Sequence, residues 1–309
     1  MRRVVLSIIT ISTLVTAGEF RYGHGTFSME GGFLGLSSSI DTDIDSYSLV
    51  ERHSNIASSN FFYGYDFTWL DSKILKQVQH TYNNLATKAN GYMPINGDNS
   101  NGSWKIPSMD YRLQGLDANI NLGYDFLHKG EGDFLGISLL FGISMPWINN
   151  SSSSKSDNNF LNGNGVAPSG DFYKDSKTEI LTYKLGPSIS FEKNVISDKL
   201  SLYGLATYAY QTGDITNDYA KFDGSVNGTY QEYNIGLHYT PFTKNYKLGW
   251  FTLSPRIYAT LGYKYSKWKV DDMIVNTSGA ELDSKIIDPL KTKFSMDSSI
   301  GYFGLGYSF

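Results

Sequence analysis

Residues 135–147 read LGISLLFGISMPW, and every second side chain in this stretch is large and apolar. The positions between them carry glycine, serine and proline, with one leucine at Leu140. Successive side chains of a β-strand point to opposite faces, so the stretch predicts a strand with one apolar face and one small or polar face. The stretch is also long enough to cross a bilayer, which takes roughly 9–11 strand residues.

Four other stretches share this alternation, at 116–126, 181–191, 233–239 and 251–263. We predict ten strands, at 25–37, 45–53, 60–70, 110–126, 134–147, 178–191, 200–212, 226–240, 250–266 and 294–309. An even number suits a single-chain barrel with both chain ends on one side. The expected fold is therefore all-β, a closed antiparallel up-and-down transmembrane β-barrel of about ten strands, with eight or twelve as alternatives.

The connections between the predicted strands alternate in length. The short ones are 54–59, 127–133, 192–199 and 241–249. The alternate connections are 71–109, 148–177, 213–225 and 267–293, which are long and polar, and 38–44, which is short. Short turns on one side and long loops on the other are typical of bacterial transmembrane barrels, with the short turns in the periplasm.

The first long connection carries a different period. Leu75, Val78, Tyr82 and Leu85 recur at steps of three and four residues. This spacing predicts an amphipathic helix over 76–88, whose apolar stripe would need the barrel mouth or its rim as a surface. An irregular surface loop is the alternative.

The amino-terminal segment has the three parts of a secretory signal peptide. Arg2 and Arg3 are positive, the residues from Val4 to Val15 are mostly apolar, and Ala17 offers a small residue before a cut. We predict a signal peptide at 1–17 and a β-barrel domain at 18–309. An uncleaved membrane helix is the alternative, although it would need roughly 20 apolar residues.

The composition excludes several classes of function. The formal net charge of −4 and the lack of a basic run argue against a nucleic-acid partner. There is no Cys, so neither a disulfide framework nor thiolate chemistry is available. Aromatic residues make up 15% of the chain, yet the mean hydropathy is slightly negative. Rings that alternate with polar residues are expected where one face meets lipid and the other meets water.

The carboxyl-terminal residues 301–309 read GYFGLGYSF, which places Phe303, Leu305, Tyr307 and Phe309 on one face. This pattern resembles the closing strand of Gram-negative outer-membrane β-barrel proteins. In that class, a terminal aromatic residue with apolar residues at alternate positions is a signal to the barrel assembly machinery. The resemblance implies a Gram-negative outer-membrane location, with outer-membrane lipid and the assembly machinery as partners.

Two enzyme classes among such barrels have motifs that can be tested. Outer-membrane proteases use paired Asp residues with an Asp-x-His element; here Asp41, Asp43 and Asp45 cluster, but no Asp-x-His occurs. Outer-membrane phospholipases use His-x-Ser, whereas His53 and Ser54 are adjacent and would point to opposite faces of a strand. The sequence therefore predicts a protein that is not an enzyme and has no catalytic, cofactor or metal site.

Six ionisable residues fall near mid-strand on the predicted inner face. They are Glu30, Asp66, Asp117, Lys184, Glu232 and Arg256. They form either a structural network that fills the lumen, or a constriction that selects small ions or solutes and favours cations. The sequence thus predicts a monomer that is a narrow porin-like channel or a structural surface protein. The alternative is an adhesin that binds ligands through its long loops, and a hydrolase is the least favoured reading.

Overall fold

Ten long antiparallel strands follow one another around a single sheet. The computed structural model describes residues 18–33, 36–54, 56, 59–78, 81–83, 103–105, 109–127, 133–152, 176–196, 199–217, 222–242, 244–248, 251–254, 256–277, 280–283 and 293–307. The strands are β1 Glu19–Phe33, β2 Leu36–His53, β3 Phe61–Ser72, β4 Met109–Asp125, β5 Phe134–Ser152, β6 Ser176–Ile196, β7 Leu200–Asn217, β8 Phe222–Tyr239, β9 Ile257–Thr277 and β10 Lys293–Tyr307.

Each strand pairs with the next along the chain, and the last pairs with the first. The closing pair β1–β10 runs in register from Glu19 opposite Gly306 to Gly32 opposite Lys293. Among the described residues, the ten long strands thus pair all the way round, and this closure satisfies the backbone hydrogen bonds that lipid cannot satisfy. The predicted fold, a closed antiparallel barrel of ten strands, is confirmed.

The barrel has two distinct ends. Glu19 and Tyr307 lie at the end where the connections are short, which we call the periplasmic end, and Tyr307 N donates to Gly18 O at 3.3 Å. The opposite, extracellular end carries the connections that leave β3, β5 and β9. The predicted signal peptide at 1–17 and the terminal Phe309 lie outside the described residues.

Several predicted connections at the extracellular end are strands instead. The segment 38–44 belongs to β2, and 213–225 shrinks to a connection between Asn217 and Phe222. β9 continues to Thr277, where it pairs with a short strand, Ala280–Asp283. The barrel wall is therefore taller than the sequence pattern indicated.

The helix predicted over 76–88 is wrong where the structure describes it. Leu75–Val78 is a strand that pairs with β4, and Thr81–Asn83 pairs with Ser103–Lys105. Edge pairing onto an existing strand satisfies backbone groups that an isolated helical turn would leave open. Within the described ranges, no helix is long and apolar enough to span a membrane.

The strands change character along their length. Near the periplasmic end, large apolar side chains face outward; Leu261, for example, is 64% exposed. The inward positions of the same strands are polar, as at Thr260 and Lys264. We call this part the lower zone. Its outward apolar belt matches the lipid-facing band of a transmembrane barrel.

Nearer the extracellular end, the alternation is inverted. Trp268 and Val270 of β9 point inward and are buried, whereas the residues that follow each of them, Lys269 and Asp271, are exposed. β2 shows the same pattern, with Ile44 buried next to the exposed Asp43. We call this part the upper zone. Apolar side chains inside and charged ones outside are the arrangement of a barrel surrounded by water.

Candidate functional site

Five charged side chains from five strands meet inside the barrel, where the two zones join. We call Asp66, Asp117, Lys184, Glu232 and Lys264 the central network. Lys184 is fully buried and forms an ion pair with Asp117, which is itself buried. Lys264 Nζ lies 2.7 Å from Asp66 Oδ2 and 3.5 Å from Glu232 Oε1. Side chains alternate between the two faces of each strand, and all five of these residues lie at inward-facing positions.

Neutral groups complete the hydrogen bonding of the central network. Asp117 accepts hydrogen bonds from Ser144 Oγ and from Asn119 Nδ2, the latter at 3.0 Å. The Tyr230 hydroxyl donates to Glu232, and Lys184 Nζ lies 4.0 Å from the centroid of the Tyr230 ring. Buried charges are tolerated when they are paired and hydrogen-bonded in this way.

An apolar core lies on top of the central network and fills the inside of the upper zone. Its buried members are Phe27, Ile44, Leu70, Leu113, Leu140, Ile180, Ala209, Ile215, Val226, Tyr230, Trp268, Val270, Met296 and Ile300. The Trp268 ring joins the two layers, because its Nε1 donates to Ser144 Oγ at 2.9 Å while its ring centroid lies 5.5 Å from that of Tyr230. The sequence predicted a polar, water-filled lumen. The interior of the upper zone is apolar instead.

Below the central network, the lumen opens into a cavity of about 530 Å³ that reaches the periplasmic turns at Lys199 and Thr240. Arg21 makes two bonds to the Glu19 carboxylate, at 2.6 and 3.0 Å. Glu192 pairs with Arg52 and accepts from His238 Nδ1 at 3.0 Å. We call this space the periplasmic cavity. Its wall mixes apolar side chains with polar ones, and most of its buried charges are ion-paired.

Four of the six ionisable residues singled out in the sequence lie in the central network, and two do not. Glu30 is exposed on the outer face near the extracellular end of β1, because the inward positions of that strand are Arg21 and Phe27 and have odd numbers. Arg256 is exposed in the turn before β9, which begins only at Ile257. The prediction that Glu30 and Arg256 face the lumen is therefore wrong.

Sequence reasoning missed several residues of the site. Lys264 is absent from the sequence-based set of six, although it pairs with two of the three acids of the central network. Tyr230 and Trp268 were missed because inward aromatic residues look like lipid-facing ones in a pattern that alternates. The Arg21–Glu19 pair lies in a segment that the predicted strand map left out. Its signal was available, since opposite charges two residues apart share one face of a strand.

The acidic cluster singled out in the sequence lies on the outer face of β2. Asp41 and Asp43 are exposed on the outer face of β2, and Asp45 accepts hydrogen bonds from His24 Nδ1 at 2.9 Å and from Tyr22 at 3.0 Å. These groups therefore face away from the lumen. Among the residues that the structure describes, no three His, Cys, Asp or Glu side chains group closely enough to hold a metal ion.

The structure describes three of the four residues of the predicted carboxyl-terminal signal. Phe303, Leu305 and Tyr307 all point outward and are exposed on β10. They lie in the apolar belt of the lower zone at the seam where the barrel closes. Their role as an assembly signal stays a prediction.

No protein-family model and no curated protein matches the sequence. Solved structures do. The outer membrane protease OmpT of Escherichia coli superposes with a TM-score of 0.53 at 10% identity, over 95% of this chain and 97% of that one. The translocator domain of the autotransporter NalP of Neisseria meningitidis aligns over 100% of this chain and 95% of that one, at 10% identity and a TM-score of 0.35. The first likeness shows that the chain has the fold of a Gram-negative outer-membrane β-barrel.

Proposed function

We propose that the protein is a sealed structural barrel of the outer membrane, which carries a rigid surface extension and conducts no solute. The observation that carries the proposal is the stacking of the buried central network beneath an apolar core. A solute that crossed the lumen would have to displace both layers. Ten strands also enclose a narrow interior, since about eight are just filled by side chains and open channels have 16–18.

The charges of the central network support a structural role over a selective constriction. A constriction that selects ions presents its charges to water along an open path. Here Lys184 and Asp117 form an ion pair with each other, Asp117 also accepts hydrogen bonds from neutral donors, and Glu232 is almost fully buried. The network ties β3, β4, β6, β8 and β9 together across the lumen, which stabilises the shape of the barrel.

Conductance in a planar lipid bilayer tests the proposal. We expect the purified protein to insert without producing conductance steps. A double variant, Tyr230→Ser with Trp268→Ser, removes the two rings that join the layers and should produce small steps. Steps from the wild-type protein whose size or ion selectivity changes in Asp117→Asn would overturn the proposal and favour the narrow channel.

A second candidate function, adhesion, is favoured by the height of the upper zone. β9 continues well beyond Trp268, and β2 begins at Leu36, far above the apolar belt. At about 3.3 Å per residue and a tilt near 40°, such extensions add roughly 20 Å of wall outside the bilayer. A platform of this height suits contact with another surface. Removing 153–175 between β5 and β6 should then abolish cell binding while the barrel still folds, and unchanged binding would count against adhesion.

A further inference from the structure

The geometry points to a second site that lies apart from the sealed upper lumen. We propose that the periplasmic cavity binds a small neutral carbohydrate, one or two sugar rings in size, from the periplasmic side. Its volume of about 530 Å³ lies within the range of roughly 300–1,000 Å³ that ligand pockets occupy. The inference does not depend on whether the barrel conducts.

The buried charges of the wall are already engaged with one another, whereas Lys199 lies exposed at the mouth of the cavity. Glu19 is held by Arg21, Glu192 by Arg52, and Asp66 at the top of the cavity by Lys264. A charged ligand would have to break one of these pairs and leave its partner buried without compensation, which is costly. A neutral ligand instead uses the lone pairs and protons that ion pairing leaves free.

Three buried polar atoms of the wall lack a hydrogen bond within the described part of the chain: Asn119 Oδ1, His238 Nε2 and Glu51 Oε1, the last of which is ion-paired with His53. Asn119 is only 2% exposed, and His238 Nε2 lies 3.7 Å from Glu19 Oε2, which is within the distance of an ion pair but beyond that of a hydrogen bond. Buried polar atoms without a partner are uncommon and call for a water or a ligand. Asn119 Oδ1 is an acceptor, and His238 Nε2 donates or accepts according to its tautomer, so both suit hydroxyl groups.

The rest of the wall has the mixture that sugars need. Asn121, Ser190 and Asn234 add amide and hydroxyl groups, and the partly exposed Tyr258 ring offers an apolar surface for the carbon face of a sugar. Planar polar side chains beside an aromatic ring give orientation and contact area together. These groups come from four different strands, β4, β6, β8 and β9, so the arrangement depends on the closed barrel and not on one strand pair.

Isothermal titration calorimetry of the purified barrel in detergent tests the inference, with maltose and N,N′-diacetylchitobiose as neutral probes and L-arginine and glycylglycine as charged ones. Ser190→Trp should fill the cavity and weaken disaccharide binding at least about tenfold. Its control, Ile189→Trp, places the same ring on the lipid-facing side, where Ile189 is 48% exposed, and should leave affinity unchanged. Asn121→Trp and its neighbour Leu122→Trp form a second matched pair on β4, two strands away from Ser190.

The outcomes separate clearly once heat-modifiable migration on a gel has shown that each variant is folded. Binding of both disaccharides, lost in the two filled variants, supports a general carbohydrate site. Binding of the chitobiose alone, lost in the same way, supports a site for the amino sugars of the cell wall. The inference is overturned if neither disaccharide binds, if binding survives both filled variants, or if L-arginine or glycylglycine binds more tightly than either sugar.

Discussion

The Lys184 ammonium has lost contact with water and depends on one carboxylate, that of Asp117. Replacing it by methionine, which keeps most of the volume, leaves the buried Asp117 charge without its cation. Breaking a buried pair from one side costs about 3–5 kcal/mol. We therefore expect Lys184→Met to lower the urea midpoint of the refolded barrel in lipid vesicles, followed by tryptophan fluorescence.

Two companion variants make this result specific. Lys193→Met removes an exposed pair with Asp133 of a periplasmic turn, where the hydrogen bond from Lys193 lowers the pKa of that carboxyl; its midpoint should not move, since exposed pairs contribute little. Asp117→Asn combined with Lys184→Met removes both buried charges and should recover most of the loss. If the double variant were as unstable as the single one, the penalty would not lie in the uncompensated charge.

At the scale of the strand pair, Gly25 governs how closely β1 and β10 approach. A Cβ atom at Gly25 would lie 1.8 Å from the backbone oxygen of Ser299, so the two strands would have to move apart. Forcing extra atoms into a packed contact costs about 1–3 kcal/mol. Gly25→Ala should therefore lower both the midpoint and the fraction of folded protein on a gel.

Gly301 is the matched control, since it lies in the same strand pair but its Cβ would meet nothing nearer than 4.0 Å. Gly301→Ala should fold like the wild type. Equal effects of the two substitutions would mean that glycine is needed at the seam for flexibility and not for close approach.

The same scale shows what the sequence could and could not predict. The lower zone was readable because lipid on one side and polar groups on the other impose a strict alternation, as in 135–147. The upper zone carries the opposite alternation over shorter runs, so 213–225 and 267–293 looked like polar loops. Apolar steps near Leu75 suggested a helix because helix and strand cannot be separated by periodicity over so few residues.

The central network could be predicted only in part, because the sequence does not show the height of each residue along the barrel axis. Alternation shows which side chains point inward, and it placed Asp117, Lys184 and Glu232 correctly. It does not show which of them share a height, because that depends on the stagger of ten strands. Glu30 and Arg256 were misplaced since each lies where a strand begins or changes zone, and there a shift of one residue reverses the face.

For the molecule as a whole, the inversion between zones marks where hydrocarbon ends and water begins. A positive charge placed on the outer face should therefore be costly in one zone and harmless in the other. Leu261, in the apolar belt, is 64% exposed, and Leu261→Arg should cost about 2–4 kcal/mol near the bilayer midplane. Thr216 is exposed on the outer face of the upper zone, next to Asp214 on the same face, so Thr216→Arg should leave the unfolding midpoint in lipid unchanged.

The comparison becomes decisive when it is repeated in detergent micelles. A micelle adapts its apolar layer to the protein more readily than a bilayer of fixed thickness, so the cost of Leu261→Arg should shrink there while Thr216→Arg stays neutral. Tyr263→Arg, two residues further along the same face of β9, should behave like Leu261→Arg. If Thr216→Arg were as damaging in bilayers as Leu261→Arg, the upper zone would lie within hydrocarbon, and its inward apolar core would need an explanation other than surrounding water.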